Sequence, residues 1–145
     1  MPMAVLHLVK LAVGAKDIAQ IRAFQSHRAR TDPPLRHRTR MMPKRVAEIT
    51  EGGGSLYWVV VGFVQVRQRI LEIREEEWEG RRGAGLVLDP VLVPVAPRAM
   101  KPFQGWRYLA PEAAPPDLPR GSAEAKGVAA LPEALRQELR GLGLL

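Results

Sequence analysis

Apolar and polar residues change their spacing several times along the chain, and each change marks an element. Residues 5–13 place Val5, Val9, Leu11 and Val13 on one parity and Leu6, Leu8 and Lys10 on the other. A β-branched run that is apolar on both faces reads as a largely buried strand. Gly14 ends it. Asp17 then opens a helix, where a carboxylate suits the positive N-terminal end. Ile18, Ile21 and Phe24 recur near helical spacing and are expected to face the core. Pro33 and Pro34 force a loop, an extended piece covers residues 37–42, and Pro43 is placed to begin a short helix ending near Thr50, with Val46 and Ile49 inward.

Gly52, Gly53 and Gly54 break this regularity. Residues 55–61 follow as a strand rich in valine, Tyr57 and Trp58. Gly62 lies within the apolar run, which predicts a bulge or bend of the kind that curls a sheet. Val64, Val66, Gln68 and Ile70 then alternate with Gln65, Arg67, Arg69 and Leu71, a strand with one polar face. Residues 72–83 read as a charged hairpin loop, 85–88 and 91–95 as short strands, and 103–109 as a last aromatic strand. The sum is about six strands and two helices. The expected fold class is α+β, a small mixed or antiparallel barrel-like sheet. Residues 1–110 form the domain, 111–130 are a Pro/Gly-rich linker, and 131–145 are a C-terminal tail helix with Leu131, Leu135 and Leu139 on one stripe.

Composition narrows the function classes. A chain of 145 residues supports one core,. It contains no cysteine, which excludes disulfides, thiolate nucleophiles and sulfur-ligated metals and fits a reducing compartment. The longest strongly apolar stretch, residues 56–64, is far short of the ~18–20 residues of a spanning helix. His7 and Lys10 interrupt the apolar N-terminus, which lacks a basic leader. A cytoplasmic protein without a membrane partner is expected.

The formal charge is +7, and residues 22–45 alone hold eight Lys/Arg against one acid, Asp32. In an extended segment Arg38 and Arg40 point to the same side. Two guanidinium forks on one face suit phosphate or carboxylate, and Lys44 and Arg45 add to the charge. The alternative is a solvated basic face. Tyr57, Trp58 and Trp106, with Arg67, Arg69 and Arg107 close in pattern, offer stacking surfaces and cations for bases; the alternative is that these rings are core. Tyr57 and Trp58 face opposite sides of their strand, so one is expected to be core and the other available. No nucleophile elbow, phosphate loop or metal-ligand spacing is present, and no cofactor is expected. The leading expectation is therefore a module that binds an anionic partner, RNA before DNA, or a modified nucleotide. Engaging about six phosphates on a single strand gives a salt slope near −4. An adaptor for an acidic protein and an enzyme for a small anionic substrate remain as alternatives.

Several strings resemble an uncharacterised bacterial family, the domain-of-unknown-function family numbered fourteen eighty-nine. They run from Leu8 to Gly14, from His37 through Arg40 to Arg45, from Gly53 to Trp58, from Arg67 to Ile70, and from Pro102 to Leu109. The chain departs from the family pattern at Val61, where a lysine is expected. The resemblance implies no particular activity. In the order of its elements the chain is also similar to PUA-like pseudobarrels, which implies a helix after the first strand, a curled sheet, and ligand binding between the two.

Overall fold

The computed structural model describes residues 5–119. The elements follow as β1 (His7–Leu11), α1 (Ile18–Thr31), β2 (Arg36–Thr39), α2 (Val46–Thr50), β3 (Ser55–Val60), β4 (Phe63–Trp78), β5 (Arg81–Leu88), β6 (Val93–Ala99) and β7 (Trp106–Leu109), then a 3-10 turn at Pro111–Ala113. The strands form one mixed sheet in the order β2-β5-β4-β3-β1-β7, with β6 also paired to β4. β1 and β3 are parallel; the other pairs are antiparallel.

Two tight turns set the meander. Val61 and Gly62 both have positive φ, 50° and 83°, as do Glu79 and Gly80, 54° and 72°. The flanking residues are paired, Val60 with Phe63 and Trp78 with Arg81. Each is a two-residue hairpin with the backbone twist that suits adjacent strands. Gly62 therefore ends a strand rather than bending one. The bend lies further on, where Trp58 faces Val66 and Val59 faces Val64, leaving Gln65 as the extra residue of a bulge,. The bulge puts Val64 and Val66 in different cores.

Residues 72–83, expected as a loop, instead complete β4, its turn and the start of β5. Their charges are no obstacle, because Glu72, Glu75 and Glu77 are exposed. Gly83 and Gly85 leave the space that the Trp78 ring and the Glu76 carboxylate occupy.

Leu8, Leu56, Trp58, Val66, Ile70 and Leu86 belong to the core on the helix side, and Val9, Tyr57, Val59, Val64 and Val95 to the core on the other face. Tyr57 and Trp58 do face opposite sides, yet both are buried, at 4% and 5% exposure. The expectation that one of them is left available fails because each face carries its own apolar cover.

The sheet does not close into a barrel. Side chains bridge its ends instead. From β7, Trp106 Nε1 donates to the Met41 carbonyl at 2.8 Å, and the Tyr108 hydroxyl accepts from the Lys44 and Arg45 N–H groups at 2.9 and 3.2 Å. Pro43, with no N–H, cannot extend a ladder across this gap. The same contacts hold residues 43–45 outside α2, which starts at Val46 rather than at Pro43. Beyond β7, Asp117 bridges to Val95, and the Leu118 N–H donates to the Pro94 carbonyl at 3.0 Å. The tail helix expected over residues 131–145 lies outside the described residues.

Gly54 and Gly62 separate two kinds of glycine. A Cβ at Gly54 would lie 2.0 Å from the Leu6 carbonyl oxygen, whereas one at Gly62 meets nothing within 4 Å and is disfavoured only by its φ. Gly62→Ala is expected to cost about 1 kcal/mol. Gly54→Ala is expected to cost several times more, because backbone must move. Urea unfolding of the two variants checks the order.

Candidate functional site

α1 begins at Asp17, whose carboxylate accepts from the Gln20 N–H at 2.8 Å. Its inward stripe is Ile18, Ile21 and Gln25, with both isoleucines buried. Phe24, expected in the core, is 50% exposed. The helix turns by about 100° per residue, so Gln25 rather than Phe24 continues the inward row.

The amides of Gln25 and Gln68 exchange hydrogen bonds, both at 2.7 Å. Gln68, fully buried on β4, also accepts from Trp58 Nε1 at 2.8 Å and donates to the Asp89 carbonyl at 3.0 Å. An indole N–H can only donate, so it fixes which end of the Gln68 amide faces it. That choice then fixes the orientation of Gln25.

Between α1 and the ends of β1 and β2 lies a cleft of about 300 Å³. Lys10, Arg28 and Arg36 line it, and no carboxylate does. Trp58, His37 and Gln25 supply its inner wall, and Phe24 and Val13 its apolar rim. Lys10 stands opposite Trp58 on β3 and opposite Trp106 on β7, so the sheet places this lysine in one cross-strand row with two indoles,. His37 meets Trp58 edge-on at 5.1 Å. Burial, followed by the charges of Lys10 and Arg28, pushes the His37 imidazole down to about 4. It is neutral at pH 7, and its buried Nε2 has no hydrogen-bond partner among the described residues. Burial also lowers the Lys10 ammonium.

The basic residues expected as a site fall in several places. Arg38 pairs with Asp32 at 3.1 Å and Glu76 at 3.7 Å, and Arg40 with Glu79 at 3.4 Å. Arg38 and Arg40 do share a side: both guanidiniums lie over the Trp78 ring, 5.9 and 3.9 Å from its centroid. Arg45 pairs with Glu48 in its own helical turn. Arg67, between Tyr57 and the strap at Asp117, grips that carboxylate with two bonds of 2.7 and 2.6 Å. Lys44, Arg69 and Arg107 have no ion pair among the described residues, and Arg107 lies over Phe103 at 4.5 Å. Of the stacking candidates, Trp58 lines the cleft. Trp106 packs beside the helix-side core and Tyr57 is buried in the other.

Lys10, Gln25, Arg28 and His37 escaped the sequence reading as a group. One signal was present, since Lys10 shares the inward parity of Leu6 and Leu8. On the opposite face His7 is half-buried, its Nδ1 accepting from the Ser55 N–H at 2.9 Å. Among the described residues no three His, Asp or Glu side chains cluster as metal ligands, and no helix is long and apolar enough to cross a membrane.

A family model described as "Protein of unknown function (DUF1489)" matches residues 8–145. The chain belongs to the DUF1489 family. No curated protein and no solved structure matches it. In this DUF1489 protein the matched region contains every charged and aromatic residue of the cleft, from Lys10 to Trp58.

The buried imidazole makes DUF1489 stability depend on pH. In the unfolded chain His37 takes up a proton near its ordinary value of 6.5, while in the folded chain it does so only near 4. The stability present above pH 6.5 is therefore lost as pH falls towards 4, by about 3 kcal/mol from this group. His7, also lowered by burial, acts in the same direction. Denaturant titrations at pH 7 and pH 4 should show a smaller loss for His37→Gln than for the parent.

Proposed function

We propose that the cleft under α1 binds one nucleotide unit of an anionic ligand, RNA before DNA. The observation that carries this reading is the pairing of cations without a lining carboxylate, Lys10 and Arg28 above all, with the ring of Trp58 and the neutral His37. Arg38, Arg40, Arg45 and Arg67 are each paired with an acid elsewhere in the fold, whereas Lys10 and Arg28 meet an external anion in the cleft without a carboxylate competing for them. A volume of about 300 Å³ matches the smaller ligand pockets, which are mostly apolar with a few placed polar groups. Phe24, half-exposed at the rim, offers a ring on which a base can stack, and Lys10 and Arg28 supply charge for its phosphate,. The site lies between helix and curled sheet, where the pseudobarrel likeness puts a ligand. RNA comes first because a base must leave its stack to enter, and single-stranded loops and ends offer that most readily.

The number of phosphates engaged follows from the cations lining the cleft that have no ion pair among the described residues, Lys10 and Arg28. Two cations on a single strand give a salt slope of about −1.4, against about −4 if the whole basic stretch took part. Anisotropy titrations of a short single-stranded RNA over a salt series measure this. Lys10→Gln should weaken binding by about tenfold. Arg40→Gln and Arg45→Gln should change it by no more than about twofold. A complete lack of salt-sensitive RNA binding refutes the proposal.

A further inference from the structure

The cleft continues into a second hollow of about 400 Å³, and Arg28, Arg36 and His37 line both. Arg38 and Asp32 complete its charged wall. Three guanidiniums face this hollow. Two of them are braced from behind: Glu76, 13% exposed, lies 2.6 Å from Arg36 Nε and 3.7 Å from Arg38 Nε. Their outer NH2 groups converge on Asp32, at 3.4 and 3.1 Å. Asp32 is 54% exposed, and its contact with Arg36 is long. Arg28 has no carboxylate partner among the described residues.

We propose that this hollow is a phosphomonoester subsite, and that Asp32 occupies the phosphate position until a ligand displaces it. The inference rests on reading the adjoining cleft as a nucleotide site, and it specifies the ligand as a nucleotide with a terminal phosphate. A phosphomonoester carries about −1.5 to −2 charges at pH 7 and three strong acceptor oxygens. An internal phosphodiester has one charge and two free oxygens, so it offers these guanidiniums nothing that the Asp32 carboxylate does not already supply. With three cations set against Asp32 and Glu76, the wall is one charge positive; once Asp32 swings into solvent it matches a dianion. The C-terminal end of α1 would oppose an anion here. Arg36 offsets it, because its NH1 group donates to the Asp32 and Pro34 carbonyls, both at 3.1 Å.

Calorimetric titrations with a ribonucleoside 5′-monophosphate, the matching nucleoside and a dinucleoside monophosphate, run for each of the four bases, and with inorganic phosphate, test this. The monophosphate should bind at least about tenfold more tightly than the other two. Asp32→Asn should tighten monophosphate binding by about fivefold and leave the nucleoside unchanged. Arg38→Gln should weaken the monophosphate alone, by about tenfold. Because the two substitutions act in opposite directions, loss of folding cannot imitate the result. Equal binding of nucleoside and monophosphate overturns the subsite and leaves the base cleft standing, as does an Asp32→Asn variant that gains nothing. Binding of inorganic phosphate without any nucleoside contribution overturns the base cleft and supports the subsite. If none of the probes binds, both readings fall.

Discussion

One buried donor constrains the candidate site. The indole N–H of Trp58 sits in the helix-side core, where an unpartnered donor costs about 1–3 kcal/mol, and Gln68 is the acceptor that relieves it. Gln68 is thereby oriented, and its remaining bonds reach the Asp89 carbonyl just past β5 and Gln25 on α1. The helix buries only Ile18 and Ile21. The amide pair therefore sets how closely its second half approaches the sheet, and with that the width of the cleft. Filling this volume with apolar side chains would give a tighter core. A satisfied polar chain instead holds two elements apart at a fixed distance, which a site needs and a core does not.

Electrostatics gives the cleft its character through what its lining lacks, a carboxylate. The net charge of +7 belongs to the whole chain, yet it is unevenly available. Arg40 pairs with Glu79, Arg45 with Glu48, and Arg67 is saturated by a bidentate bond to Asp117. A saturated guanidinium contributes little to an external anion, because a new contact must first displace an old one. Lys10 and Arg28 line the cleft without such partners, and their field is strong enough to help keep His37 neutral. The cleft is thus positive and still has an uncharged polar ring in its wall, a combination suited to a ligand with a charged end and a neutral heterocycle.

The order of elements was legible because hydrophobic period and turn residues are local. β1, the Asp17 cap and the start of β3 follow from windows of a few residues, and so does the mixed, mostly sequential sheet. The failures have a common cause. Arg36 meets Glu76 forty residues later, and Arg67 meets Asp117 fifty residues later, so a basic stretch in the sequence cannot show that it is neutralised in space. Residues 72–83 have the composition of a loop. They become strand because Gly83 and Gly85 make room on β5 for Trp78 and Glu76, a fit between two segments that neither one announces. The bulge at Gln65 is invisible for a similar reason, since it is defined by register against β3. Of the site itself, Trp58 was legible as a candidate ring and Lys10 as an odd cation on an apolar parity. Their meeting across β1 and β3 required the parallel pairing, which no short window specifies.

That parallel pairing also accounts for the position of the site. In an antiparallel meander each strand returns beside its predecessor and leaves no gap for a helix. A parallel pair needs a crossover, here the path through α1, β2 and α2, and the crossover must pass over one face of the sheet,. α1 is the part that lies on that face, and β2 is carried round until His37 reaches Trp58. The bridge from Trp106 and Tyr108 to residues 41–45 then fixes the crossover at its far end. Ligand clefts in open sheets form where connections diverge. In this fold that divergence is the parallel junction of β1 and β3, and Lys10 sits on it.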